Sequence, residues 1–237
     1  MRLHRRITGD GERDALLIHG FNCDSGDWWE VAPVLVSRGY RVVAVDLRGH
    51  GRSPRSNSYA LADYVADVVE TVQRRPALAI GHSLGGSVLA GGAERLRPER
   101  AIYLDPPWSP LDDDTTAKLF PDLGAIPGMS DAELSATLRR DFPRWSDHAI
   151  EVDVDSWRRW DPATGDEIVA TLRGSGPMSV AVVPSLVVAT DPSVVCLPDE
   201  QRRLRGLDYA VRVAPGLTHS LFRDDLATFL RTLDGWL

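Results

Sequence analysis

Residues 77–89 constrain this chain more than any other stretch. There the apolar run Ala77-Leu78-Ala79-Ile80 gives way to Gly81-His82-Ser83-Leu84-Gly85-Gly86 and resumes as Ser87-Val88-Leu89. The pattern predicts a strand, a sharp turn and a helix. A serine at the apex of such a turn adopts a strained backbone, tolerated only where the residues two before and two after lack bulk; Gly81 and Gly85 meet that need. This is the G-x-S-x-G nucleophile elbow, in the strand-turn-helix context it requires. A phosphate-cradling turn would instead call for Gly-Lys-Ser/Thr or G-x-G-x-x-G, and neither follows here.

The elbow sits within a regular alternation. Leu3 to Ile7, with the turn Gly9-Asp10-Gly11, predicts a short edge strand and hairpin. Ala15-Leu16-Leu17-Ile18 and Tyr40 to Val45 are runs of the kind that strands buried on both faces show. A helix between them is expected from Asp27 to about Ser37, stopped by Gly39. Ser58 is the expected cap of a helix to about Arg74, with Leu61, Tyr64, Val65, Val68, Val69 and Val72 at helical spacing. Arg100 to Leu104 predicts the strand after the elbow helix. Strand and helix in strict alternation imply the α/β class, with a mostly parallel sheet flanked by helices and ligands beyond the carboxyl ends of the strands.

The alternation breaks after Asp105, because Pro106-Pro107-Trp108-Ser109-Pro110 cannot begin a regular element. Two capping-box patterns follow, Ser130-Asp131-Ala132-Glu133 and Thr164-Gly165-Asp166-Glu167, each opening a helix. We therefore expect a helical lid over residues 107–175, inserted into a core formed by 1–106 and 176–237. The core resumes with strands at Ser185 to Ala189 and Tyr209 to Val213, a short helix near Asp199 to Arg205, and an amphipathic terminal helix from Leu221 to Leu237.

Charge follows this division. The insert carries 14 acidic and 7 basic residues, which accounts for the whole formal charge of −7. Asp112-Asp113-Asp114 reads as a solvated turn. The acidic balance argues against a nucleic-acid partner. Cys23 and Cys196 sit in no metal-ligand or C-x-x-C spacing, so neither a metal site nor a disulfide framework is expected, and a reducing, cytoplasmic setting fits. The basic N-terminus lacks the apolar stretch of a secretory signal, and no run approaches a membrane span. No internal repeat breaks the 237 residues, a length suited to one large α/β domain.

A serine hydroxyl is a poor nucleophile until a base takes its proton, and a buried carboxylate must orient that base and support its positive charge. Ser83, Asp191 and His219 occur in that chain order, each after a predicted strand, so all three are expected at one edge of the sheet. Asp105, ending the strand beside the elbow strand, is the rival acid. Four of the seven tryptophans, Trp108, Trp145, Trp157 and Trp160, lie in the insert. Trp157 and Trp160 share a helix face, and packing within the lid competes with lining a substrate pocket.

Taken together, His19-Gly20-Phe21, the turn Asp46-Leu47-Arg48-Gly49-His50-Gly51-Arg52-Ser53, the elbow, Asp191 and His219 resemble the α/β-hydrolase fold family with a helical cap, over essentially the whole chain. The resemblance implies an oxyanion hole from the backbone N–H groups of Phe21 and Leu84, and structural roles for the Asp46 turn, His19, His50 and His82. A serine at the elbow sets the chain apart from relatives resembling epoxide hydrolases or haloalkane dehalogenases, which place an aspartate there. The implied chemistry is cofactor-free acyl transfer on a small-molecule substrate, a carboxylic ester or lactone first. Carbon-carbon bond hydrolysis, a cofactor-free peroxidase-like reaction and a slow or non-turnover small-molecule receptor are the alternatives. Two departures stand out: a short N-terminal region, and Asn22-Cys23 where relatives often have small residues.

Overall fold

A computed structural model describes residues 1–109, 123–165 and 179–237. Its centre is a seven-stranded sheet in the order β1-β3-β2-β4-β5-β6-β7. The strands are β1 (Arg5–Thr8), β2 (Arg13–Ile18), β3 (Tyr40–Val45), β4 (Leu78–His82), β5 (Ala101–Leu104), β6 (Ser185–Asp191) and β7 (Ala210–Pro215). All pairings are parallel except β1 with β3. The expected hairpin at Gly9 does not form: β1 runs antiparallel to β3, with Arg5 opposite Val45. It crosses over β2 because β2 is taken on both sides by β3 and β4.

The central strands alternate between two cores, as a period of two requires. Ala15, Leu17, Ile80, Ile102, Leu104 and Val188 face one way and pack with Leu35, Phe222 and Phe229. Leu16, Ile18, Ala79, Tyr103, Val187 and Ala189 face the other and pack with Tyr64, Val88 and Leu89. The helices responsible are α1 (Val31–Ser37), α2 (Leu61–Thr71), α3 (Leu84–Leu96) and, at the C-terminal end, α7 (Leu221–Asp224) and α8 (Leu226–Thr232). The single terminal helix expected is broken in two, because Asp225 turns extended and its side chain caps α8 by accepting from Thr228 N at 3.0 Å. The first expected helix is likewise divided. A 3-10 turn over Ser25–Trp29, capped by Asp24, precedes α1.

Between β5 and β6 the described part of the insert carries α4 (Asp131–Asp141) and α5 (Asp147–Arg159). Ser130 and Glu133 form the capping box in both directions. Trp108 belongs to the core instead, against Tyr103 and Tyr209 at centroid distances of 5.0 and 5.8 Å. Asp112-Asp113-Asp114 and the Asp166-Glu167 half of the second capping box lie outside the described residues. After β6, α6 (Pro198–Arg205) leads into β7. Among the described residues no helix is long and apolar enough to cross a membrane.

Candidate active site

Because β2 to β7 run parallel, the turns carrying His19, Asp46, Ser83, Asp105 and His219 all leave the sheet at the same edge. Ser83 occupies the apex between β4 and α3 at φ 49° and ψ −117°, a region that side-chain-bearing residues rarely enter. Close backbone approach explains the flanking glycines. A Cβ on Gly81 would stand 2.3 Å from the Gly85 carbonyl oxygen, and one on Gly85 would stand 2.2 Å from that of Ile18. Leu84 is the first residue of α3, so its N–H has no acceptor within the helix. Gly20 lies against the elbow, where an added Cβ would meet His82 Nδ1 at 2.9 Å and Ser83 Cβ at 3.4 Å. The loop before Phe21 and the first residue of α3, Leu84, therefore flank the serine.

The imidazole of His219 donates from Nδ1 to Asp105 Oδ2 at 2.8 Å. Asp191, the expected acid, is not its partner. Thr190 turns its hydroxyl onto Asp105 at 3.1 Å, so the next side chain along β6 points the opposite way, and Asp191 is exposed. The segment expected to supply the carboxylate instead holds another one: Ser193 Oγ donates to Asp105 at 2.8 Å and Thr190 N at 3.2 Å. Asp105 is fully buried and sits at φ 40° immediately after Leu104, which is in register with His82. Burial pushes its carboxyl up, but the hydrogen bonds from His219, Ser193 and Thr190 outweigh that and hold it below the usual carboxylate range. Between Ser83 Oγ and the His219 ring there is no hydrogen bond; the His219 side chain is 28% exposed at this edge. Such contacts commonly tighten only around a bound substrate.

Three further histidines are neutral framework. His19 donates from Nδ1 to the Gly20 carbonyl at 2.6 Å and accepts from Leu47 N at 2.9 Å, fixing the loop before Phe21. Burial lowers His50 to about 3, and its ring packs 5.2 Å from that of His19. His82 is also lowered to about 3 by burial, with the nearby His219 adding to the effect. His82 Nε2 donates to the His219 carbonyl at 2.8 Å, a link the sequence reading did not anticipate. Its signal is a polar residue on an otherwise apolar buried strand. The Asp46 turn is structural: its carboxylate accepts from Ser25 N at 2.7 Å and Arg52 N at 2.8 Å.

The tryptophans divide. Trp160 is buried edge-on against Phe21 at 5.4 Å, and Trp157 Nε1 reaches the Asn22 side-chain oxygen at 3.2 Å with that amide turned to satisfy both groups. Trp145 stacks on Phe142 at 4.2 Å, and Trp108 is core. Among the described residues no group of three His, Cys, Asp or Glu side chains could hold a metal ion. A groove lined by Arg5, Asp14, Arg41 and Arg74 runs along the β1–β3–β2 side of the sheet.

A sequence model described as the alpha/beta hydrolase family matches residues 15–232. The chain belongs to the alpha/beta hydrolase family. Within it, a non-heme chloroperoxidase of Streptomyces lividans is 40% identical over 97 residues, covering 38% of this chain and 35% of that protein. A pimeloyl-[acyl-carrier protein] methyl ester esterase of Edwardsiella ictaluri is 38% identical over 96 residues, 40% of this chain and 36% of that protein. The chain is thus matched to about a third of the length of these curated relatives. Among solved structures, E-2-(acetamidomethylene)succinate hydrolase superposes with a TM-score of 0.78 at 21% identity, covering 98% of this chain and 93% of that one. At that identity the likeness speaks for the alpha/beta hydrolase fold alone. Hydrolases recur among these relatives.

Proposed function

We propose that this protein is a serine hydrolase that cleaves a carboxylic ester or lactone through an acyl-enzyme on Ser83. The contact between His219 Nδ1 and Asp105 carries the reading. It fixes the tautomer that leaves Nε2 as the base for the Ser83 hydroxyl, and the buried carboxylate supports the imidazolium formed when that proton moves. Ser83 Oγ bonds to the substrate carbonyl carbon, the Phe21 and Leu84 N–H groups hold the developing oxyanion, and the proton passes from His219 to the leaving alkoxide. Water, deprotonated by the same imidazole, then releases the acid and restores the serine. The helices α4 and α5 act as a lid over this edge, with Trp157 and Trp160 beside the oxyanion loop.

A second reading has its own support. Three curated relatives are named non-heme chloro- or haloperoxidases and one an esterase/perhydrolase. Hydrogen peroxide in place of water would accept the same acyl group and leave as a peracid. The test is labelling with a fluorophosphonate alongside turnover of p-nitrophenyl butyrate, with and without peroxide, in wild type and Ser83→Ala. Labelling with many turnovers, both lost in Ser83→Ala, supports the hydrolase. Labelling without turnover favours a receptor, and peracid formation outpacing hydrolysis favours the perhydrolase.

A further inference from the structure

Four residues beyond His219, Arg223 breaks the apolar stripe of α7 between Phe222 and the cap at Asp225. Its side chain is only 4% exposed, yet it is a full cation. Nη1 donates to Asp153 Oδ1 of α5 at 2.7 Å, and Nη2 pairs with Asp27 in the 3-10 turn after the oxyanion loop. Nη2 also lies 3.6 Å from Cys23 Sγ within that loop, and the guanidinium stacks 4.6 Å from the Trp145 ring at the α4–α5 junction. One planar group thus touches the oxyanion loop, the inserted helices and, through α7, the segment bearing His219. The same junction grips that segment again: Arg144 donates to the Gly216 carbonyl at 2.8 Å, and Trp145 Nε1 to Asp224 at 3.3 Å.

A buried cation with two buried carboxylates is costly unless each contact is kept, and hydrophobic packing would stabilise the fold as well or better. What a guanidinium adds is a rigid fork that fixes the relative positions of several elements. We propose that Arg223 is a positioning residue that sets the oxyanion loop and the His219 segment through Asp27 and the lid through Asp153. The proposal rests on the serine-hydrolase reading. The surrounding charges are accounted for: Asp24 is paired with Arg159 at 2.7 Å, Glu30 faces His148 and Arg223, and His82 is neutral.

The division of labour separates the two carboxylates experimentally. Asp27→Asn and Asp153→Asn are each isosteric and leave Arg223 one charged partner, so both should fold. Enzyme concentrations are set by fluorophosphonate titration of Ser83, which removes any loss of folded protein, and kcat and KM are measured on p-nitrophenyl butyrate. Loosening the oxyanion loop should lower kcat about tenfold in Asp27→Asn with KM little changed, whereas loosening the lid should raise KM about fivefold in Asp153→Asn. If both variants match wild type per titrated site, Arg223 is only structural and the proposal is overturned, with the hydrolase reading intact. If wild type neither labels nor turns over, the hydrolase reading falls and takes this role with it.

Discussion

His82 donates from Nε2 to the main-chain carbonyl of His219 at 2.8 Å, so the side chain beside Ser83 holds the backbone of His219. The two rings lie 4.9 Å apart, and burial keeps His82 uncharged, which suits a neighbour of the imidazole proposed as the base.

Replacing His82 by alanine should lower stability by about 1 kcal/mol, the worth of a partly buried hydrogen bond. It should also reduce kcat, because the His219 loop loses its tether. His82→Gln, which can present an amide N–H where Nε2 stood, should recover part of both. Thermal melts and kcat on p-nitrophenyl butyrate check this; an alanine variant with wild-type values of both would refute it.

The two aspartates differ in kind. Asp105→Asn should lower kcat by about 10³–10⁴-fold, since an amide favours the wrong imidazole tautomer and leaves the imidazolium unsupported. Asp191→Asn should stay within about twofold of wild type, as exposed substitutions away from special features do. A reversed ranking in steady-state kinetics would return the acid to β6.

Space and backbone conformation can be separated at two glycines. Gly85→Ala forces a Cβ to within 2.2 Å of the Ile18 carbonyl oxygen, so the elbow must move off the oxyanion loop. A cost of at least about 3 kcal/mol is expected from that overpacking. Gly39 has φ +82° but open space around it, so Gly39→Ala should cost only about 1 kcal/mol. Urea unfolding of both variants measures the difference.

Stability should depend on pH through Asp153, whose carboxyl is raised to about 6 by burial, with Arg223 opposing and Asp27 reinforcing the shift. A carboxyl raised in the fold binds its proton more tightly there than in the unfolded chain. Its contribution therefore falls as pH rises from about 4 to about 6, and the cost is complete above that. Asp153→Asn mimics the protonated form. Relative to wild type it should therefore gain stability between pH 4 and pH 8, by on the order of 2–3 kcal/mol. Parallel melts at the two pH values read this directly, and a stability gap independent of pH would contradict it.

The sequence by itself determined whatever depends on near neighbours along the chain. The elbow was legible because Gly81 and Gly85 answer a local steric demand. The buried strands were legible because β2 to β5 contain unbroken apolar runs, and the Ser130 cap because its partner is three residues away. Tertiary structure decided the rest. Whether Asp105 or Asp191 meets His219 turned on which face of β6 the Asp191 side chain takes and on the register of β5 with β4, neither of which a strand's own composition encodes. The path of β1 past β2 to β3 was settled by competition for pairing partners. The role of Arg223 emerged only when residues near positions 25, 150 and 220 were folded together, since an arginine in an apolar stripe acquires its meaning from carboxylates brought to it from elsewhere in the chain.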